Sequence, residues 1–230
     1  MKEQMNQPEY WSFWQQPAAD NLRWQAEATD LARRLTVLIP HLNEYHILDY
    51  GCGQGLVAER LAPKVKAIDL WDSSETARKQ AQEVCLSHPN VKVLTRLHES
   101  PLYDLILVSS VTQYMTENQL QESMGLWRRM LKTKGLVLIT DIIPPRRRIF
   151  REIFALLRFA ARYGLLVRML LEGICGLPKY WHRSRQHALT HYSRKKIAEL
   201  ALATGFELEP VANPNIFPSR YAVLMRLKRI

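Results

Sequence analysis

Between Ile47 and Leu70 the chain reads ILDYGCGQGLVAERLAPKVKAIDL, an apolar run, three glycines at positions 51, 53 and 55, a short helix-like stretch and a second apolar run closed by an acid. Few architectures accommodate that order. Glycines directly after a strand and before a helix let the backbone turn tightly and approach a ligand, with the amides of the helix start aimed into the gap. A ligand with a negative or electron-rich edge is expected there. Asp69, eighteen residues beyond Gly51, is placed to accept both hydroxyls of a ribose. The two features together predict a cofactor that contains adenosine.

The flanking sequence predicts the scaffold. Near-continuous apolar runs at 46–50, 64–70, 91–97, 104–110 and 136–143 alternate with helical patterns at 54–62, 74–86 and 117–132. This order argues an α/β, Rossmann-like, doubly wound and mostly parallel sheet covered by helices on both faces. Residues 8–39 carry apolar side chains at three- and four-residue spacing and stop at Pro40, which predicts an N-terminal helical lid over 1–45 ahead of a cofactor-binding core at 46–143. A helical insertion at 144–191 and a closing helix with two strands at 192–230 complete the division. Local signals place the boundaries: Asp72 with Glu75 as a helix start, Thr116 with Gln119 as a capping box, and Gly135 and Gly205 as helix stops.

The third glycine separates two kinds of adenosine site. A dinucleotide fingerprint needs glycine at position 56, where Leu56 stands, and the chain instead reads DxGxGxG from Asp49. That pattern resembles motif I of the class I S-adenosylmethionine-dependent methyltransferases, well over 46–143 and moderately over 192–228. The resemblance implies a seven-stranded sheet and S-adenosylmethionine as cofactor. It implies that Asp49, Gly51, Cys52 and Gly53 form the cofactor loop, that Asp69 holds the ribose, and that Leu70 packs on the adenine. Ser110 and Val111, within SSVTQY, would line the pocket beyond the fourth strand. One departure stands out: the acid that many members carry after the third strand is replaced by Leu97, which leaves adenine to backbone groups or to Glu99.

Methyl transfer from a sulfonium is an in-line displacement, so alignment, desolvation and at most a base are required of the protein. The family's amino-methylating signature after the fourth strand is absent, since Ser110-Val111-Thr112-Gln113 occupies its place, which argues against methylation of a nucleic-acid base or of glutamine. Asp141 at the end of the fifth strand, His191 (with His187) before the late helix, and Gln113 near the cofactor are the candidate catalytic groups. Asp141 has a plainer reading as a strand-end cap or solvated acid, and the histidines as surface residues. Tyr10 and Trp14, with Trp11 and Phe13, could close over the sulfonium by cation–π attraction, and Tyr114 could touch substrate; packing in the core is the alternative for all of them. No converging carboxylates suggest a metal.

The net charge of +10 is local, because residues 144–187 hold ten Lys/Arg against two Glu. On a helical wheel Arg147, Arg151, Arg158 and Arg162 share a sector, and Phe150, Ile153, Phe154, Leu157 and Ala161 face the other way. A second apolar helix is predicted at 165–174. A cationic amphipathic helix of this kind can lie on an anionic membrane through residues 146–172, cover a small hydrophobic or lipid-like substrate, or dock on the body of the domain or on a second copy in a homodimer. Three cysteines without CxxC spacing, no signal-like N-terminus and no long apolar run predict a cytoplasmic protein, peripherally associated with a membrane if the basic helix contacts one. Two other readings stay open: a nucleic-acid methyltransferase, favoured only by the charge, and a non-catalytic docking module with this fold.

Overall fold

The computed structural model describes residues 22–100, 102–146, 149–167 and 189–228. The predicted lid aromatics Tyr10 and Trp14, most of the second apolar helix at 165–174, and His187 lie outside the described residues.

Seven strands form one sheet: β1 (His46–Tyr50), β2 (Ala67–Trp71), β3 (Val91–Val93), β4 (Tyr103–Ser109), β5 (Leu131–Ile142), β6 (Phe206–Glu209) and β7 (Tyr221–Leu227). Their order across the sheet is β3-β2-β1-β4-β5-β7-β6, and every pairing is parallel except those of β7. The helices are α1 (Leu22–Leu38), α2 (Leu56–Leu61), α3 (Glu75–Val84), α4 (Glu117–Met130), α5 (Ile149–Arg162) and α6 (Arg194–Ala203). The predicted Rossmann-like architecture is present, and the strand order reverses at β1/β4, where such sheets open a crevice at their carboxyl ends.

Two cores sandwich the sheet. On one face Leu48, Ile106, Val137 and Ile139 meet Trp127, Met124 and Met130 of α4 together with Ile197 and Leu200 of α6. On the other, Ile47, Leu105, Leu107 and Leu138 meet Ala32, Leu35 and Ile39 around α1 and Ala58 and Leu61 of α2. Strands buried on both faces explain why the sequence shows unbroken apolar runs instead of alternation.

Local signals are met unevenly. Thr116 and Gln119 form the capping box. The cap of α3 is Ser74, whose hydroxyl accepts from the Ala77 amide, while Asp72 turns one carboxylate oxygen to the Ser74 amide and stays in front of the helix. Gly135 stops no helix: α4 ends at Met130 and β5 begins at once, and a Cβ at position 135 would meet the Tyr103 carbonyl at 2.9 Å.

The amphipathic helix α5 has three faces instead of two. Phe159 and Ala160, with Leu165 just beyond, pack against Ala26 of α1 and Ile216. The arginines Arg151, Arg158 and Arg162 are exposed beside them, and the apolar stripe Phe150, Ile153, Phe154 and Leu157 is exposed as well, with Phe150 at 88% and Phe154 at 69%. The wheel predicts an arginine side and an apolar side, but the packed side is a third row that the pattern does not distinguish. Asp30 on α1 ties the two helices together by accepting from Tyr163 Oη at 3.2 Å, from Arg33 at 2.9 Å and from Arg34 at 2.6 Å. Its side chain is almost fully covered. Replacing Asp30 with alanine should cost about 1 to 3 kcal/mol, the penalty for leaving its donors unpaired, and should expose residues 149–167 to protease before the sheet unfolds. Urea unfolding combined with limited proteolysis reads both effects.

Candidate functional site

A cavity of about 690 Å³ opens where the sheet order reverses. Its floor is the glycine turn. Gly51, Gly53 and Gly55 all have positive φ, and the amides of Gly51 and Cys52 both donate to the Trp71 carbonyl, at 2.7 and 3.1 Å. A Cβ at Gly51 would lie 2.4 Å from Val111 Cγ2, and one at Gly55 would press on Ala81 and Cys85. At Gly53 there is nothing within 4 Å, so the middle of the turn presents bare backbone to open space. Two glycines are needed for close packing, and the third leaves room for a ligand.

Two buried acids flank that turn. Asp49, at the penultimate position of β1, and Asp72, just past the end of β2, both line the cavity. Asp72 accepts from the amides of Gly53 and Ser74, each at 2.9 Å. Burial pushes the Asp72 carboxyl up, against those two hydrogen bonds. Burial, reinforced by the charge of Asp72, pushes Asp49 from 3.8 to about 7. A pyrophosphate would add negative charge to this pair, whereas a ligand with cationic groups would relieve it. S-adenosylmethionine, with its sulfonium and ammonium groups, therefore fits the residues present, and a nicotinamide dinucleotide does not.

The sequence points to Asp69 and Leu70 for ribose and adenine, and the structure moves both away from the cavity. Asp69 pairs with Leu48 in the β1–β2 register, while Trp71 pairs with Tyr50 at the strand ends, so Asp69 sits three residues short of Asp72. At strand rise that is about 10 Å from the rim. Its carboxylate accepts from Tyr103 Oη at 2.9 Å and lies 3.1 Å from His46 Nε2. Leu70 is fully buried in the core. Asp72 occupies the place expected for Asp69, and the signal was in the sequence: the apolar run continues through Trp71, and Ser74 starts the next helix. Glu99 is held in solvent by Arg129 at 2.6 Å and forms no part of the cavity wall.

Cys52, Ser110, Val111 and Tyr114 line the cavity as expected. Cys52 is a free thiol, pushed well up by burial. Gln113 is buried but is not part of the wall, and its carbonyl accepts from the Thr190 amide at 2.9 Å. His191 is exposed and also outside the wall. Of the three candidate catalytic residues only Asp141 reaches the cavity. Asp141 and Ser110, at the tips of neighbouring strands β5 and β4, both hold positive φ, 63° and 58°. Such strain in non-glycine residues persists only where the surroundings enforce it. Here Ser110 Oγ donates to Asp141 Oδ2 at 2.7 Å, Arg220 Nη1 donates to the same oxygen at 2.6 Å, and the Asp141 amide donates to Asn215 Oδ1 at 2.9 Å. Burial raises the Asp141 carboxyl and nearby Glu27 adds to the rise, against Arg220 and Ser110.

Sequence reasoning also missed Trp24 and Glu27 from α1 and Asn215 and Phe217 from the loop before β7, which roof the cavity. Only the fold brings these distant segments over the glycine turn. Among the described residues no group of three or more His, Cys, Asp or Glu could hold a metal ion, and no helix is long and apolar enough to cross a membrane.

Comparison with known proteins agrees with this geometry. Residues 47–135 match the family model described as a methyltransferase domain. A ubiquinone biosynthesis O-methyltransferase of Rickettsia akari (strain Hartford) is 34% identical over 112 residues, covering 44% of this chain and 42% of that relative. The match thus spans less than half the length of the relative. Among solved structures, the pyocyanin biosynthetic protein PhzM aligns with a TM-score of 0.64 at 13% identity, covering 95% of this chain and 61% of that one. The magnesium protoporphyrin IX methyltransferase of Synechocystis PCC 6803, with bound S-adenosylhomocysteine, aligns with a TM-score of 0.55 at 15% identity over 90% of this chain and 83% of that one. At these identities the structures show the shared fold.

A proton held by folded Asp49 up to about pH 7, but lost near 3.8 in the unfolded chain, makes this residue's contribution to stability greatest at low pH. Between those values the folded state binds more protons, so the contribution falls as pH rises, by up to about 1.4 kcal/mol per unit. Asp49→Asn should therefore be more stable than wild type at pH 8, with the gap closing toward pH 4. Urea midpoints across that range measure it.

Proposed function

We propose, for a chain that carries a class I S-adenosylmethionine-dependent methyltransferase domain, that it transfers a methyl group to a small, largely apolar molecule held between α1 and the tips of β4 and β5. The observation that carries this reading is the bare Gly53 backbone between buried Asp49 and Asp72, opening on a cavity of about 690 Å³. In it, Asp72 would accept from the ribose hydroxyls that the sequence pattern assigns to Asp69, and Asp49 would help to hold the cationic part of the cofactor. S-adenosylmethionine supplies an electrophilic methyl group on its sulfonium.

Alignment and exclusion of water fall to the roof, where Trp24, Phe217 and Tyr114 surround the space beyond the glycine turn. Asp141 is the proton acceptor of this reading. Ser110 has committed its own proton to Asp141, so its oxygen remains an acceptor for a substrate hydroxyl or amine, and a proton can pass through it to the carboxylate. The raised Asp141 carboxyl suits a group that must hold that proton.

The exposed stripe of α5 extends the proposal to a membrane surface. Four apolar side chains at Phe150, Ile153, Phe154 and Leu157, flanked by Arg151, Arg158 and Arg162, match a helix lying in an anionic lipid interface. Because α5 packs on α1, which roofs the cavity, a substrate dissolved in lipid would meet the protein near its site.

Calorimetric titration with S-adenosylhomocysteine tests the first part. Asp72→Ala should weaken binding about tenfold or more, by loss of paired hydrogen bonds to a carboxylate, whereas Asp69→Asn should leave affinity within about twofold. Equal losses in both would return the ribose to Asp69, and no binding to folded wild type would favour the docking-module reading. Sedimentation with liposomes tests the second: anionic vesicles should retain more protein than neutral ones at low salt, and Phe150→Ser with Phe154→Ser should abolish the difference.

A further inference from the structure

The cavity has one sign of charge. Five carboxylates line it, from Glu27, Asp49, Asp72, Glu122 and Asp141, and among the described residues no Lys, Arg or His does, in a chain of net charge +10. Asp49 and Asp72 belong to the glycine turn and Glu122 is an exposed residue of α4, so Glu27 and Asp141 define the half that remains for the acceptor molecule. Each is backed by a guanidinium outside the wall. Arg23 Nε meets Glu27 Oε1 at 2.7 Å on the partly exposed side of α1, and Arg220 meets Asp141 at 2.6 Å while lying over the Phe217 ring at 4.4 Å. The arginines hold the acids in place, and the negative ends of both pairs are what the cavity presents. Around them the wall is apolar, with Trp24, Leu31, Pro214, Ile216 and Phe217.

We infer that the acceptor compartment selects by charge, taking an uncharged or cationic apolar molecule that brings a hydrogen-bond donor to Glu27 and Asp141 and refusing phosphorylated and carboxylated ones. This rests on the methyl-transfer reading and narrows its substrate class. An anionic group would enter a low-dielectric space facing two carboxylates, where neutral donors such as Asn215 line the wall but no cation among the described residues does, so like charges meet without compensation. A hydroxyl or amine finds acceptors there. The same wall counts against a polynucleotide acceptor, so the basic surface and the reaction site call for different partners.

Three probes of one shape and different charge test this: catechol, 3,4-dihydroxybenzoate and dopamine, titrated at pH 7.5 into protein saturated with S-adenosylhomocysteine. Catechol and dopamine should bind, and dihydroxybenzoate should bind about tenfold or more weakly than catechol. Glu27→Lys should shrink or reverse that ratio, and its retained affinity for S-adenosylhomocysteine shows that the variant is folded. Dihydroxybenzoate binding as well as catechol, a ratio unmoved by Glu27→Lys, or binding of none of the three would overturn the inference. Failure to bind S-adenosylhomocysteine in the first place would instead remove the methyl-transfer reading beneath it.

Discussion

The Trp71 carbonyl accepts two hydrogen bonds, from the amides of Gly51 and Cys52, and this clasp sets the position of everything at the site. It joins the first residues after β1 to the last residue of β2, so the glycine turn and the tip of the neighbouring strand form one rigid corner. The corner brings Asp72 within 2.9 Å of the Gly53 amide. On the other side Val111, after β4, fills the space that a side chain at Gly51 would need. Three strand ends are thus locked together by the two backbone hydrogen bonds and by the side chains of Asp72 and Val111, which leave no room for a side chain at position 51 and an open face at position 53. The cavity follows from the parallel sheet: where the order reverses at β1/β4, successive helices leave toward opposite faces and nothing from the body of the domain fills the gap.

Charge is sorted in this molecule. Among the described residues the cations of the basic segment, Arg146, Arg151, Arg158 and Arg162, are exposed, while the cavity walls are acidic. Net charge alone suggests a polyanion as substrate, and the location of the groups reverses that suggestion for the site. The acids are not incidental to stability either. Asp49 is buried beside another carboxylate and holds its proton to about pH 7, which is a cost the fold bears at neutral pH until a cationic ligand removes it. Asp30 shows the opposite solution. Burial pushes its carboxyl up, but Arg33 and Arg34 outweigh that and hold it below the usual carboxylate value. One buried acid is satisfied by the protein, and the other is left for a ligand.

The scaffold and the glycine turn were legible because their causes are local. Apolar runs of strand length and glycines at fixed offsets report backbone geometry directly, and β1, β4 and α4 lie within a residue or two of where the pattern put them. The acid at the strand tip was misread by three residues, since identity and approximate spacing favour Asp69, and the continuation of the apolar run through Trp71, which the register with β1 bears out, was passed over. The roof was legible only as an N-terminal helix, without the side chains it turns to the cavity or the loop that meets them. Trp24, Glu27, Asn215 and Phe217 come from the two ends of the chain and meet because β7 inserts between β5 and β6, a long-range event with no local signature. The three faces of α5 escaped for a related reason: a helical wheel records which residues are apolar but not which apolar row finds a partner.

The roof also explains how a surface helix and an internal site can be parts of one device. Asp30 and Glu27 lie about one turn apart on α1, with Asp30 bonded to Tyr163 just beyond α5 and Glu27 facing the cavity. Glu152, on α5 itself, is bonded to Ser219, which precedes the Arg220 that grips Asp141. Helix α5 is therefore connected to both acids of the acceptor compartment, through α1 on one side and through the 213–220 loop on the other. Neither connection involves the glycine turn. The corner at the glycine turn is held by backbone hydrogen bonds between strand ends, whereas Glu27 and Asp141 are held by side-chain contacts.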